Sequence, residues 1–325
     1  MRSMILGSLL ALGLAFSFGA ARAAPDQGEF TIRPPFTPAP ELTTRPGVPM
    51  GAVRTLTMKS ADSKFYSGIS KEKPGELVPY VRVVNVYIPA GLKPGRPMPF
   101  MVVQDGDSPK YREVLPTILD NLIAQKKIPP MVAVMVNHGG GDGWGSERGL
   151  EYDSVSDRYA RFIEAEVLPR VAKEYGITFT KDPEGRATMG GSSGAAAAFT
   201  MAWFHPELYR RVLSYSGTFV NQEHASDPEN GHGAWGYHET LIPNSPKKPI
   251  RIWLHVSERD NRNTADEASM KNWVIANRHM AAALKAKGYD YRFVFSEASG
   301  HVDPVVVNQT LPGALTWLWK GYKAR

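Results

Sequence analysis

Cysteine is absent from all 325 residues. Disulfide scaffolds, thiolate metal sites and thiol nucleophiles are thereby excluded, and a chain this long must hold itself together by core burial, for which it has ample length. After residue 23 no segment approaches the roughly eighteen apolar residues of a transmembrane helix, so stable membrane insertion is not expected. A strong excess of either charge is also lacking. The formal balance is +6, or +4 without Arg2 and Arg22, and no basic stripe is interleaved with aromatics, which argues against nucleic-acid binding. The eight histidines include His232 and His238 in a glycine-rich stretch, yet no His-Glu-x-x-His helix or compact ligand cluster occurs. No metal or other cofactor is expected.

What is present begins with a leader. Arg2, the apolar run Met4 to Phe18 and the small-x-small end at Ala21 to Ala23 describe a cleavable secretory signal over 1–23, so the protein is expected to be exported, periplasmic or extracellular. Residues 24–50 carry seven prolines and read as an extended arm, laid on the domain or left loose. Residues 51–325 read as one α/β domain. An antiparallel entry pair, Ala52 to Lys59 and Val81 to Pro89, gives way to apolar runs alternating with helical segments. The expected strands are Pro99 to Gln104, Met131 to Asn137, Ala187 to Gly190, Arg211 to Tyr215, Ile250 to Val256 and Tyr291 to Phe295. The expected helices are Tyr111 to Lys126, Val155 to Tyr175, Ala195 to Phe204, Ser269 to Lys287 and Leu311 to Tyr322. Such alternation predicts a mainly parallel central sheet with helices on both faces. Residues 221–249 interrupt the rhythm and read as a long loop or lid near the site.

The chain is organised around Gly190-Gly-Ser192-Ser193-Gly194. Small residues at 190 and 194 let strand turn sharply into helix and push the Ser192 hydroxyl out of the sheet. A serine nucleophile needs a base, and the base an orienting acid, each on a loop at the carboxyl end of its own strand. Asp260 follows one predicted strand and His301 the next, giving the order Ser, Asp, His of an α/β-hydrolase. For the acid, Asp260 is preferred to Glu258 and Asp266, and Asp303 remains a rival. An oxyanion hole is expected from the Ser193 N–H and a backbone N–H at Gly106 or Asp107. The lipase-like stretch Asn137-His138-Gly139-Gly140-Gly141 follows the wrong strand for that role and is read as a loop at the pocket mouth.

With these residues placed, the chain resembles the putative-esterase family, which includes enterochelin esterases and feruloyl esterases. The resemblance is carried by Val103-Gln104-Asp105-Gly106, Arg148-x-x-Glu151-Tyr152, Phe162-Ile163-x-x-Glu166-Val-Leu-Pro169, Gly190-Gly-Ser-Ser-Gly194, His205-Pro206-Glu207-Leu-Tyr209, Ser214-Tyr-Ser216-Gly217 and Gly300-His301. It implies a catalytic Ser192, Asp260 and His301, and the α/β-hydrolase fold. The chain departs from it at the acid loop, where Ser257-Glu-Arg-Asp260 replaces Gly-x-x-Asp, and at Ala195, where many relatives have glycine. Arg148 and Glu151 are expected to pair near the site.

The expected activity is therefore a serine esterase working through an acyl-serine. Trp144, Arg148, His232 and Trp235 are expected to contact a small-molecule or carbohydrate ester, with Tyr237 and Trp273 as further aromatic candidates and burial favoured for Trp273. Feruloyl or sugar esters and siderophore esters both stay open, and Arg148, Arg259 and Arg262 favour an anionic substrate. An acyltransferase on the same fold and a non-catalytic binding module are the alternatives.

Overall fold

In the computed structural model, residues 26–93, 95–142, 145–222 and 231–323 are described. The expected leader, Trp144 and residues 223–230 of the long loop lie outside them. The chain enters through β1 (Gly28–Ile32), β2 (Ala52–Lys59), the hairpin of β3 (Ile69–Ser70) and β4 (Lys73–Leu77), and β5 (Val81–Ile88). From β6 (Phe100–Gln104) the elements are α1 (Leu115–Ala124), β7 (Val132–Val136), α2 (Glu147–Tyr152), α3 (Arg158–Phe162), α4 (Leu168–Tyr175), β8 (Arg186–Gly191) and α5 (Ser193–Phe204). They continue as β9 (Arg211–Tyr215), α6 (Ile242–Asn244), β10 (Arg251–Arg259), α7 (Trp273–Ala286), β11 (Asp290–Gly300) and α8 (Pro304–Trp319).

Nine strands form one sheet in the order β1-β11-β10-β9-β8-β6-β7-β5-β2. The pairs from β1 across to β7 are parallel, while β5 pairs antiparallel with both β7 and β2. This is the mainly parallel α/β-hydrolase architecture that the alternation predicts, with a short antiparallel sheet, β3 with β4, beside it. The central strands β6, β7, β8 and β9 are buried at every position; β6 and β7 accordingly read as apolar runs rather than alternating ones, while β8 and β9 also bury Arg186, Thr188, Arg211 and Ser214. Val102, Val134 and Val212 face a core shared with Phe162, Ala197 and Met280, from α3, α5 and α7. Met101, Met135 and Leu213 face the opposite core, shared with Ile118 of α1 and Leu315 of α8.

Several boundaries differ from the sequence expectation. The proline-rich arm contributes a sheet strand: β1 lies parallel to β11 in the register Gly28↔Arg292 to Ile32↔Ser296, with Phe30 and Ile32 packed on the second core. Strands β10 and β11 run on past Val256 and Phe295 to Arg259 and Gly300. Helix α2 was too short to show a period; Ser146 caps it by accepting the Gly149 N–H at 2.9 Å. Helix α8 starts at Pro304, where the Asp303 carboxylate accepts the Val305 N–H at 3.0 Å, a favoured pairing of cap and N1 proline. The described part of 221–249 is largely folded, with turns at Gly233–Trp235 and Tyr237–Leu241 leading into α6.

Candidate active site

Successive parallel strands set the site. Asp105 follows β6, Ser192 follows β8, Ser216 follows β9, Asp260 follows β10 and His301 follows β11, and these strands are neighbours in the sheet. Their carboxyl ends therefore meet along one edge.

Ser192 has φ 57° and ψ −129°, a strained conformation for a side-chain-bearing residue. Its N–H donates to the Tyr215 carbonyl at 2.9 Å, and its carbonyl accepts the N–H groups of Ala195 and Thr218 at 2.9 and 3.2 Å. The two flanking glycines are required by close approach. A Cβ at Gly190 would lie 2.3 Å from the Gly194 carbonyl, and one at Gly194 would lie 2.9 Å from Gln104 Cβ. Thus held, Ser192 lies on the wall of a cavity of about 470 Å³, its hydroxyl 3.4 Å from Thr218 Oγ1.

The acid and imidazole loops meet beside it. Asp260 Oδ1 lies 2.5 Å from His301 Nδ1 and accepts the Asn261 N–H at 2.8 Å. Burial on its own would push this carboxyl up. Hydrogen bonds from His301, Ser216 and the Asn261 backbone, with the imidazole charge, outweigh that and hold it below the ordinary carboxylate value. Gly191, next to Ser192, and Val302, next to His301, are in contact: a Cβ on the glycine would be 3.1 Å from Val302 Cγ1. The Trp273 ring meets His301 edge-on at 6.3 Å and also lines the cavity with Ser192. The other carboxylates of these loops are engaged elsewhere: Glu258 accepts the Ala298 N–H, Asp266 the Ser269 N–H, and Asp303 the Gly300 and Val305 N–H groups.

On the other side of Ser192 the loop after β6 is clamped. Arg148 grips Asp105 with two bonds of 3.1 Å and Asp142 with one of 2.7 Å; bidentate geometry of this kind fixes orientation as well as charge. The expected Arg148–Glu151 pair is not formed. Glu151 is instead buried with Arg82, at 2.7 and 2.8 Å, and accepts the Gly139 N–H at 3.1 Å. That contact, with Arg148 N–H to Gly140 O at 3.0 Å, holds the His138 to Gly140 loop beside Asp105. Gly106 departs from its expected part. Its N–H donates to the Val136 carbonyl at 3.0 Å, and its Cα sits so close to Met135 that a Cβ would lie 2.1 Å from that backbone. Asp107 is exposed, and Ser193 N–H opens α5, where the first turn's donors have no intrahelical acceptor. Behind Ser193, Asp153 is buried; burial pushes its carboxyl up to about 7 against the Ser193 hydroxyl and the Arg148 charge.

The expected substrate wall is only partly where the sequence placed it. Trp235 is 5% exposed and packed edge-on against His238 and His279, so it belongs to the core. Tyr237 is fully buried on Thr200. His232 pairs with Glu239 at 2.5 Å, off the Ser192 cavity, and Arg148 is committed to its two carboxylates. Trp273 does line the cavity, together with Lys71, Asp142, Arg262 and Lys271. The two lysines were missed because Lys71 sits on the small hairpin and Lys271 in a loop, and neither neighbours a motif.

No helix among the described residues is long and apolar enough to cross a membrane, and among them no group of three or more His, Asp or Glu is placed to hold a metal. Among solved structures the fold is similar to the enterobactin esterase from Shigella flexneri seen with 2,3-dihydroxy-N-benzoyl-glycine, at 20% identity and a TM-score of 0.58 over 88% of this chain and 63% of that one. The chain thus spans less than two thirds of that esterase. A ferulic acid esterase matches at 17% identity and a TM-score of 0.60, over 84% of this chain and 100% of the other. The feruloyl esterase module from Clostridium thermocellum complexed with sinapinate matches at 15% and 0.55, over 89% and 95%. These likenesses speak to the fold. Comparison with curated proteins gave no match. The sequence profile of the family described as Putative esterase covers residues 80–317, a span that includes Ser192, Asp260 and His301, and the chain belongs to that esterase family.

Proposed function

We propose that the protein is an exported carboxylic-ester hydrolase in which Ser192 is the nucleophile, His301 the general base and Asp260 the orienting acid. The observation that carries this reading is the 2.5 Å contact of His301 Nδ1 with Asp260 Oδ1, made one residue from the Val302–Gly191 contact beside Ser192. With Nδ1 committed to the acid, Nε2 is the nitrogen left to take the Ser192 proton. The serine oxygen then adds to the ester carbonyl, and the oxyanion accepts N–H bonds from Ser193 and, since Gly106 is engaged, from Asp107. Collapse expels the alcohol, which takes the proton from the imidazolium and leaves an acyl-serine. Water, deprotonated by the same imidazole, releases the acid and restores the serine.

The cavity favours an ester bearing an anionic group. Lys71, Arg262 and Lys271 line it, and the carboxylate that lines it among the described residues, Asp142, is paired with Arg148. A negative arm of the substrate would meet these cations, which have no ion pair among the described residues, beside the Trp273 ring. A fluorophosphonate should label the protein stoichiometrically at one residue, and Ser192→Ala should abolish both labelling and turnover of p-nitrophenyl esters. Well-folded protein that neither labels nor turns over any ester would establish a binding module instead. For substrate class, kcat/KM for a p-nitrophenyl hemiester with a free carboxylate should exceed that of its neutral chain-length match and fall with added salt. Equal values at low salt would remove the anionic reading.

A further inference from the structure

We propose that Ser216 is a positioning residue that fixes the Asp260 carboxylate and ties the acid loop to the base loop. The inference rests on the assignment of Asp260 and His301 above. Ser216 directly follows β9, between the strands that present Ser192 and Asp260. It is fully buried and has φ 48°, left-handed backbone that a serine adopts only when its surroundings hold it there. Its N–H donates to the His255 carbonyl at 2.8 Å, which aims the side chain at the two catalytic loops.

The hydroxyl uses both its capacities. It donates to Asp260 Oδ2 at 2.6 Å and accepts the Val302 N–H at 3.2 Å. Asp260 is consequently held at each oxygen, by His301 and Asn261 at Oδ1 and by Ser216 and the Ser257 N–H at Oδ2. A carboxylate anchored so cannot rotate without giving up a bond to a buried donor, and the residue after His301 is fastened to the same hydroxyl. The next two residues extend the connection to the nucleophile. Gly217 O accepts from Asn277 Nδ2 at 2.9 Å, while Thr218 donates its N–H to the Ser192 carbonyl and places Oγ1 3.4 Å from the Ser192 hydroxyl. One tripeptide therefore touches the nucleophile, the acid and the neighbour of the base. Besides Asp260 and His301, the titratable groups around this junction are His255 on β10, Asp303 on the base loop and Asp153 behind Ser193.

Ser216→Gly tests the proposal directly, because glycine accepts the left-handed backbone and removes the hydroxymethyl group that carries both hydrogen bonds. It should keep its fold and its fluorophosphonate site while kcat drops about 10- to 100-fold with KM within about twofold. The acid limb of the kcat/KM profile should move to higher pH, since the carboxylate facing the imidazole loses a donor and carries more charge. Ser216→Cys, a weaker donor of similar shape, should fall between glycine and serine. In the double variant with Asp260→Asn, Ser216→Gly should add little to the loss already caused by Asp260→Asn. Wild-type kcat with an unshifted profile in Ser216→Gly, or additive losses in the double variant, would overturn the proposal. Should Ser216→Gly fail to fold, Ser216→Cys carries the same two readouts. Near-normal turnover in Asp260→Asn alone would instead remove the acid assignment on which the inference stands.

Discussion

Three side chains far apart in the chain carry the proposed chemistry, and each is fixed by something local. Ser192 is bent out of the sheet by its own φ of 57°, and that bend depends on the missing side chain at Gly190. Gly190→Ala would drive a methyl into the Gly194 carbonyl, so it should destabilise the fold by roughly 1–3 kcal/mol or more and lower turnover together; the denaturant midpoint and kcat check both. Asp260→Asn preserves the shape but offers His301 an amide, and should lower kcat by about 10⁴-fold; because one oxygen that accepts from buried donors becomes an NH2 group, Tm should fall as well. Ser192 and His301 stood out as candidates because motif and position both advertise them. Ser216, by contrast, appeared only as part of a shared stretch, because its task is set by Asp260 and Val302, which the sequence does not bring to it. Gly106 misled for the same reason: whether its N–H is free depends on Val136, on another strand. Trp235 read as a binding aromatic, yet an indole's destination is decided by which helix packs over it, here α7 with His279.

Elements were more legible than their ends. The apolar runs of β6 and β7 marked them as strands covered on both sides, and the parallel order of β6 to β9 gathered the polar loop residues on one edge. Ends failed where tertiary pairing extends a strand, as β11 extends to Gly300 beside β10. The arm failed outright, since seven prolines conceal the short alternating stretch Glu29 to Ile32. Strand β1 covers the backbone edge of β11, and an uncovered edge is a template for pairing with another chain. Removing residues 26–32 should therefore lower Tm by roughly 5 °C or more and promote concentration-dependent association, read by scattering. Turnover per folded molecule should change far less, because β1 carries none of the proposed catalytic groups.

At the scale of the molecule, buried titratable groups set the response to pH. Burial holds His255 down at about 4 and His238, with His279 beside it, at about 3, so below the ordinary histidine value near 6.5 only the unfolded chain takes up these protons. Each should remove about 1.4 kcal/mol of stability per unit as pH falls from about 6.5 toward those values. Asp153 works in the opposite sense. Raised to about 7, it is protonated in the fold but ionised in the unfolded chain between about 4 and 7, so it costs stability as pH rises through that window. Two histidines outweigh one carboxyl, and Tm should climb from pH 4 to about 6.5; Asp260, held low, adds to the loss at still lower pH. Asp153→Asn should make the climb steeper, and a Tm independent of pH over this range would contradict the burial of these groups. The outer strand has a kinetic consequence as well. Arg33, just beyond β1, pairs with Glu297 264 residues onward, and β1 itself docks on the last strand of the sheet. During synthesis the first ribbon of the sheet must wait for almost the whole polymer to appear before it finds its neighbour. Among the strand pairings of the described residues it closes the longest stretch of chain, and its docking is expected among the last events on the way to the native state.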